Sequence, residues 1–296
     1  MVSKNCFQGF ALLLILAAAL LLPLSGMAAP KKDKLTEPSF EVKFLLDPNR
    51  VLGSDFLFTP EFMDLFHLPE DGYTSIDVLY LETADRAFIS RGWVNRLRLK
   101  DGKKKIERTY KKRYPLSGTG PQDIHAALLQ AEADGFSFGK DAYEAEIEWG
   151  YDQMTLSVSL EDSQKHEEYT SLGEFSTDEA VAFLKEAMPE EEAWGRSVLD
   201  QAQSLGPLRF LRIKGSWEDL KKVTAEIWTI PQEQDDNLRY IAELSFRTDD
   251  YETAADGKRR LTDFLDRQGF LLHEDALKTT EIYNSLIQYL SSEPAP

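Results

Sequence analysis

A chain of 296 residues with 42% hydrophobic and 11% aromatic side chains can bury a sizeable core, which excludes a disordered or fibrous protein and leaves room for one large domain or two ordinary ones. A formal net charge of -17 excludes nonspecific binding to nucleic acid or to an acidic membrane. The single cysteine, Cys6, excludes a disulfide framework.

The first 28 residues read as an export signal. Lys4 supplies a positive start, residues 10–24 (FALLLILAAALLLPL) form an apolar run of signal length, and Gly26, Met27 and Ala28 offer small residues for cleavage before Ala29. The competing reading is a membrane anchor, but the run falls short of the roughly 20 residues a span needs and Pro23 interrupts it. Cys6 precedes the apolar run, where it cannot serve as a lipoprotein acceptor. The expected location is periplasmic or secreted, with no stable membrane insertion once the signal is cleaved.

Period-2 alternation predicts strands at 40–46, 74–82, 93–100 and 104–114, followed by a helix at 121–134. Strands at 143–150 and 154–161 precede helices at 176–188 and 192–205. Strands at 208–215, 223–230 and 238–247 then lead to helices at 251–268 and 274–290, several of them opened by Ser, Thr, Asp or Pro. No Pro, Ser or Gly-rich linker divides these elements and no repeat is visible, so a single α+β domain over 36–291 is expected.

The charges follow the strand period. Between Arg91 and Arg113 lie eleven Lys or Arg against only Asp101 and Glu107, an island of opposite sign to the chain. Because side chains at i and i+2 share a face, Arg96, Arg98 and Lys100 line one side of their strand, and Thr109, Lys111 and Arg113 one side of the next. Arg212 and Lys214 pair in the same way, while Glu144, Glu146 and Glu148 form an acidic row. In a half-buried sheet such faces simply look out to water. Several basic and acidic rows backed by apolar faces suit a closed barrel with helices packed outside and a charged lumen. Acidic and basic rows in one cavity suit a metal-bound polyanion, carboxylates holding a divalent cation while Lys and Arg bind phosphate oxygens.

Five segments together carry a family resemblance: FEVKFLL at 40–46, YLETADRAFISRGWVNRLRLKDG at 80–102, TYKKRYP at 109–115, AELSF at 242–246 and LKTTEIY at 277–283. In this order they resemble the successive signatures of the CYTH superfamily, the triphosphate tunnel metalloenzymes. The resemblance implies an antiparallel β-barrel forming a tunnel, with Mg or Mn as cofactor and a triphosphate or polyphosphate as ligand. It also implies roles. Glu41, Glu146, Glu148 and Glu243 match metal ligands, and Lys43, Arg96, Arg98, Lys111, Arg113, Arg212, Lys214 and Lys278 match phosphate binders, with Lys43 and Glu146 the catalytic pair. The chain departs from the pattern at Ser39 and Ser245, where the family has acids, and a hydroxyl holds a divalent cation far less well than a carboxylate.

Other chemistry has less support. Residues 135–139 (GFSFG) spell a nucleophile-elbow pattern, but a helix precedes and a strand follows, the reverse of what that elbow needs. His67, His125, His166 and His273 lack metal-ligand spacing, and Trp149, Trp194, Trp217 and Trp228 are expected to pack under the helices. Three functions remain open: a metal-dependent phosphohydrolase acting on triphosphate or polyphosphate, a non-catalytic binder of the same ligands, and a barrel carrier for another organic anion.

Overall fold

The computed structural model describes residues 37–138, 143–165, 169–189, 192–231, 238–275 and 281–286. The export signal read at residues 1–28 and Lys278 lie outside them. Alternation of buried and open side chains along β1 (Ser39–Leu46) puts Phe40, Val42, Phe44 and Leu46 on one face, with Glu41 and Lys43 on the other. Two short helices follow, α1 (Pro48–Val51) and α2 (Pro60–Leu65), each begun by a side-chain cap and a proline at the first turn. Helices this short carry no periodic signal, so periodicity does not predict them.

Next come β2 (Thr74–Thr83), β3 (Trp93–Lys100), β4 (Lys105–Pro115) and α3 (Pro121–Ala133). Then follow β5 (Glu144–Trp149), β6 (Met154–Lys165), α4 (Thr177–Lys185) and α5 (Ala193–Leu199). Finally β7 (Ala202–Trp217), β8 (Leu220–Pro231) and β9 (Leu238–Thr248) lead into α6 (Tyr251–Gln268). The helix expected over 192–205 is cut short. Residues from Ala202 onward join β7 instead, because Ala202 to Leu205 pair with Thr83 to Tyr80 of β2, and that pairing outweighs local helical preference. Of the helix expected at 274–290, residues 281–286 are helical and 274 and 275 are not.

The nine strands close into a barrel in the order β1-β5-β6-β4-β3-β2-β7-β8-β9. The barrel is antiparallel as expected, save that β1 and β5 run parallel, with Ser39 beside Glu146 and Glu41 beside Glu148. Closure leaves no free strand edge. Helices α3, α4, α5 and α6 pack on the outside. Residues Ala254, Gly257, Leu261 and Leu265 of α6 are buried, and a Cβ at Gly257 would come 2.7 Å from the Phe246 ring of β9, so glycine is what lets this helix approach. Asp250 caps the start of α6 through the Thr253 amide (2.7 Å), and Gly269 ends it in the left-handed region (φ 66°).

Inside, the barrel is divided. One end is a second hydrophobic core, where Ile76, Val78 and Tyr80 of β2 meet Phe210, Trp228 and Ile241 together with Ile282, Tyr283 and Leu286 of the 281–286 helical segment. The inner residues Ile76, Val78 and Tyr80 of β2 are apolar, and each fully buried Leu, Ile or Phe there is worth roughly 1.5–3 kcal/mol over its exposed state. The charged rows occupy the other end. The charged lumen that the strand pattern suggests therefore occupies one half of the barrel, above an apolar floor.

Candidate functional site in the barrel lumen

A cavity of about 280 Å³ fills the charged half, lined by eight Lys or Arg and six Glu among the described residues. Ten of the residues matched by resemblance line it: Glu41, Lys43, Arg96, Arg98, Lys111, Arg113, Glu148, Arg212, Lys214 and Glu243. Glu146 joins them through Arg247, whose Nε lies 3.3 Å from Glu146 Oε1. Six strands deliver these side chains because the pleat turns every second residue inward, so cations distant in sequence face one another.

Six lumen residues lay outside the sequence-based set: Glu107, Thr224, Glu161, Glu226, Arg247 and Trp228. Glu161 extends the inner row of β6 and sits 3.7 Å from both Arg96 and Arg98. Glu226 of β8 stands opposite Arg212 in register and takes its guanidinium at 2.8 Å. Arg247 lies two residues beyond Ser245 on β9 and reaches Glu41 at 3.1 Å. Trp228, expected under a helix, instead lines the lumen; it stacks on Phe210 with ring centroids 4.0 Å apart and donates from Nε1 to Glu226 Oε2 at 2.8 Å. The period-2 signal for each was present, two residues along its strand from a neighbour on the inner face, but only register shows which face is inner. The other three expected tryptophans do pack outside: Trp149 and Trp217 meet Tyr251 and Phe264 of α6, and Trp194 meets Phe88 and Trp93.

Carboxylates and cations interlock on one wall. Lys43 Nζ bridges Glu41 Oε2 (2.9 Å) and Glu148 Oε2 (3.1 Å). Glu148 also accepts from Lys111 (3.3 Å), Arg113 (3.4 Å) and the Ser157 hydroxyl (2.6 Å). Burial works against its charge, yet Arg113, Lys43 and Lys111 hold the Glu148 carboxyl well below the usual carboxylate range. Burial likewise opposes the Glu41 carboxylate, but Lys43 and Arg247 bring it down to about 2. Lys43 is held above the ordinary lysine range by Glu148, Glu41 and Glu243, against its own burial. Glu146 goes the other way, pushed up by burial and then by Glu41.

A set of donors is left over. The Nε atoms of Arg96, Arg98 and Arg113 and the Thr109 hydroxyl are buried and have no hydrogen-bond partner among the described residues, and neither does the Tyr283 hydroxyl. Arg98 contacts Glu107 and Glu161, yet burial and then the charge of Arg96 pull its pKa down. A buried polar group without a partner costs about 1–3 kcal/mol, so a cluster of buried donors marks a place prepared for an acceptor. Guanidinium groups in such a place select anions.

A divalent cation fits this arrangement poorly. Among the described residues no three or more His, Cys, Asp or Glu side chains come together as a metal ion requires. Glu41, Glu146 and Glu148 are already bridged by Lys43, Lys111, Arg113 and Arg247. The remaining expected ligand, Glu243, faces Lys43 closely enough to raise its proton affinity. His67 and His273, expected to be scattered, bond Ser216 O (3.0 Å) and Asp266 (2.7 Å) away from the lumen.

No protein-family model and no curated protein matches the sequence. Solved structures do. A Hippeastrum protein assigned as an adenylyl cyclase, with a dominant triphosphatase activity, matches at 16% identity and TM-score 0.47 over 86% of this chain and 97% of its own. A Bacillus halodurans protein assigned as an adenylate cyclase matches at 14% identity and TM-score 0.45 over 82% and 97%. The closed nine-strand barrel is itself the architecture that the CYTH resemblance implies. These likenesses concern chain course alone, and the chemistry of the tunnel is carried by its own side chains.

Proposed function

We propose that this chain is an exported, divergent member of the CYTH superfamily whose tunnel binds inorganic triphosphate or a short polyphosphate. The observation that carries the reading is the cluster of buried guanidinium Nε atoms of Arg96, Arg98 and Arg113, which lack partners in a cavity with more cations than carboxylates. Successive cations on one strand face stand about 6.6 Å apart at roughly 3.3 Å per residue, so the rows are longer than one phosphate and suit a linear chain of them. Guanidinium groups also give the bidentate geometry that phosphate oxygens favour. Export rests on the positive start and apolar run of residues 1–24.

Hydrolysis of the bound anion with Mg or Mn is the second reading. It is favoured by Glu146, a lumen carboxylate held towards its protonated form by burial and by Glu41, as a general acid or base near neutral pH would need to be. Lys43 would accompany it as the second catalytic residue.

One experiment tests both readings: phosphate release and melting temperature of the purified protein with inorganic triphosphate, ATP and longer polyphosphate, each in Mg, Mn and EDTA. A rise in melting temperature with triphosphate or polyphosphate supports the binding reading, and release of phosphate supports hydrolysis. No thermal response to any of the three anions rejects the tunnel as a phosphate site.

A further inference from the structure

We infer that this tunnel takes up its polyanion without a divalent cation, because the chain's own lysines and arginines occupy the carboxylates that would hold one. The inference rests on the reading of the lumen as a triphosphate site and specifies its cofactor requirement. Three carboxylates, Glu41, Glu146 and Glu148, share four cations: Lys43, Lys111, Arg113 and Arg247. Lys43 lies between two of these acids at 2.9 and 3.1 Å and pairs with both. A divalent ion entering there would meet four positive charges at close range and would have to displace an ammonium fixed by two ion pairs.

The backbone gives Lys43 little freedom to withdraw. It sits in the middle of β1, whose two edges are hydrogen-bonded to β5 and β9. The neighbours in register add no further acid: Ser39 lies beside Glu146, and Ser245 beside Lys43. Across the lumen the unpartnered Nε atoms of Arg96 and Arg98 supply direct donors for phosphate oxygens, and cations outnumber carboxylates around the cavity. An anion therefore finds net positive charge without a metal to carry it. Lys43, with Lys111, Arg113 and Arg247, serves as a built-in counter-charge for the acidic wall, which leaves Arg96 and Arg98 for the ligand.

The test uses inorganic triphosphate and Mn separately and together, on the wild type and on Lys43→Met. Titration calorimetry of triphosphate should give a Kd in EDTA within about threefold of that in Mn, a difference below 1 kcal/mol. Wild type alone should leave the free Mn spectrum in electron paramagnetic resonance undiminished, whereas Lys43→Met, with Glu41 and Glu148 released, should take Mn up and bind triphosphate more tightly in Mn than in EDTA. Two wild-type results would overturn the inference: stoichiometric Mn uptake in the absence of triphosphate, or triphosphate binding that disappears in EDTA and returns with Mn. Triphosphate binding in neither buffer would instead reject the phosphate reading of the lumen, and the metal-free mode with it. The wild-type measurements decide the matter even if the variant does not fold.

Discussion

Lys43 and Glu148, 105 residues apart in the chain, meet inside the barrel with Nζ 3.1 Å from Oε2. Both are largely withdrawn from water, with side chains 23% and 9% exposed. Such a pair holds only when further partners satisfy the remaining oxygens, and here Lys111, Arg113 and Ser157 do so. The contact ties the first strand of the barrel to the fifth and aligns the acidic wall.

Replacing Glu148 with Gln should leave Lys43, Lys111 and Arg113 without their shared counter-charge and cost roughly 3–5 kcal/mol, the range for breaking a buried ion pair. The same change makes the lumen more positive, so added triphosphate should recover much of the lost melting temperature. Thermal denaturation with and without triphosphate checks both effects. A variant as stable as the wild type would show that the Glu148 pairs carry no weight.

Acid should expose the Glu41 pairs. Its carboxyl lies at about 2 in the folded protein against an ordinary 4.5. The folded state therefore binds fewer protons than the unfolded one across that window; the stabilisation is complete above about pH 4.5 and disappears as pH falls through 2. Urea denaturation of wild type and Glu41→Gln should differ by on the order of 3 kcal/mol at pH 7 and converge by pH 2. Glu148 acts in the same sense. Glu146, raised by burial and Glu41, acts in the opposite one and blunts the wild-type profile at higher pH. A gap between the two proteins that stays constant from pH 7 to pH 2 would contradict this linkage.

Among the described residues the ion-pair contact of Arg96 is a loose one to Glu161 at 3.7 Å, so its removal should do little to the fold and much to the ligand. Loss of a charge-assisted contact worth about 1.5–3 kcal/mol weakens binding roughly 10- to 100-fold. Calorimetry of triphosphate on Arg96→Ala and Arg96→Lys should show the larger loss for alanine and an intermediate one for lysine, which keeps the charge but not the planar fork. Undiminished affinity in both would remove Arg96 from the site.

Tyr283 separates packing from polarity on the lumen floor. Its ring lies 5.0 Å from that of Tyr80, and its buried hydroxyl has no partner among the described residues. Tyr283→Phe should therefore be neutral or slightly stabilising, and Tyr283→Ala should cost about 3–5 kcal/mol for the cavity it leaves. Chemical denaturation of the two variants distinguishes these cases; a destabilised phenylalanine variant would mean that the hydroxyl has a structural partner.

Much of this protein is legible in its residues. Alternation along 40–46, 93–100 and 104–114 predicts the strands to within a residue of β1, β3 and β4, and the spacing of Arg96, Arg98, Lys111, Arg212 and Lys214 already places their charges on common faces. That works because period and capping are local properties, written within a few residues of one another. The helix expected over 192–205 failed where a distant strand claimed its second half, a competition that no local pattern records.

Register was the other thing decided by the tertiary structure. Closure of the barrel brought Glu148 to Lys43, set Arg247 between Glu41 and Glu146, and turned Trp228 into the lumen rather than under a helix. The sequence by itself determined that acidic and basic rows exist on separate strands; only the closed barrel decided that they neutralise one another on one wall and leave the Nε atoms of Arg96 and Arg98 over on the other. The physical reason is range: side-chain period acts over two residues, whereas ion pairing and burial act through space between strands more than a hundred residues apart.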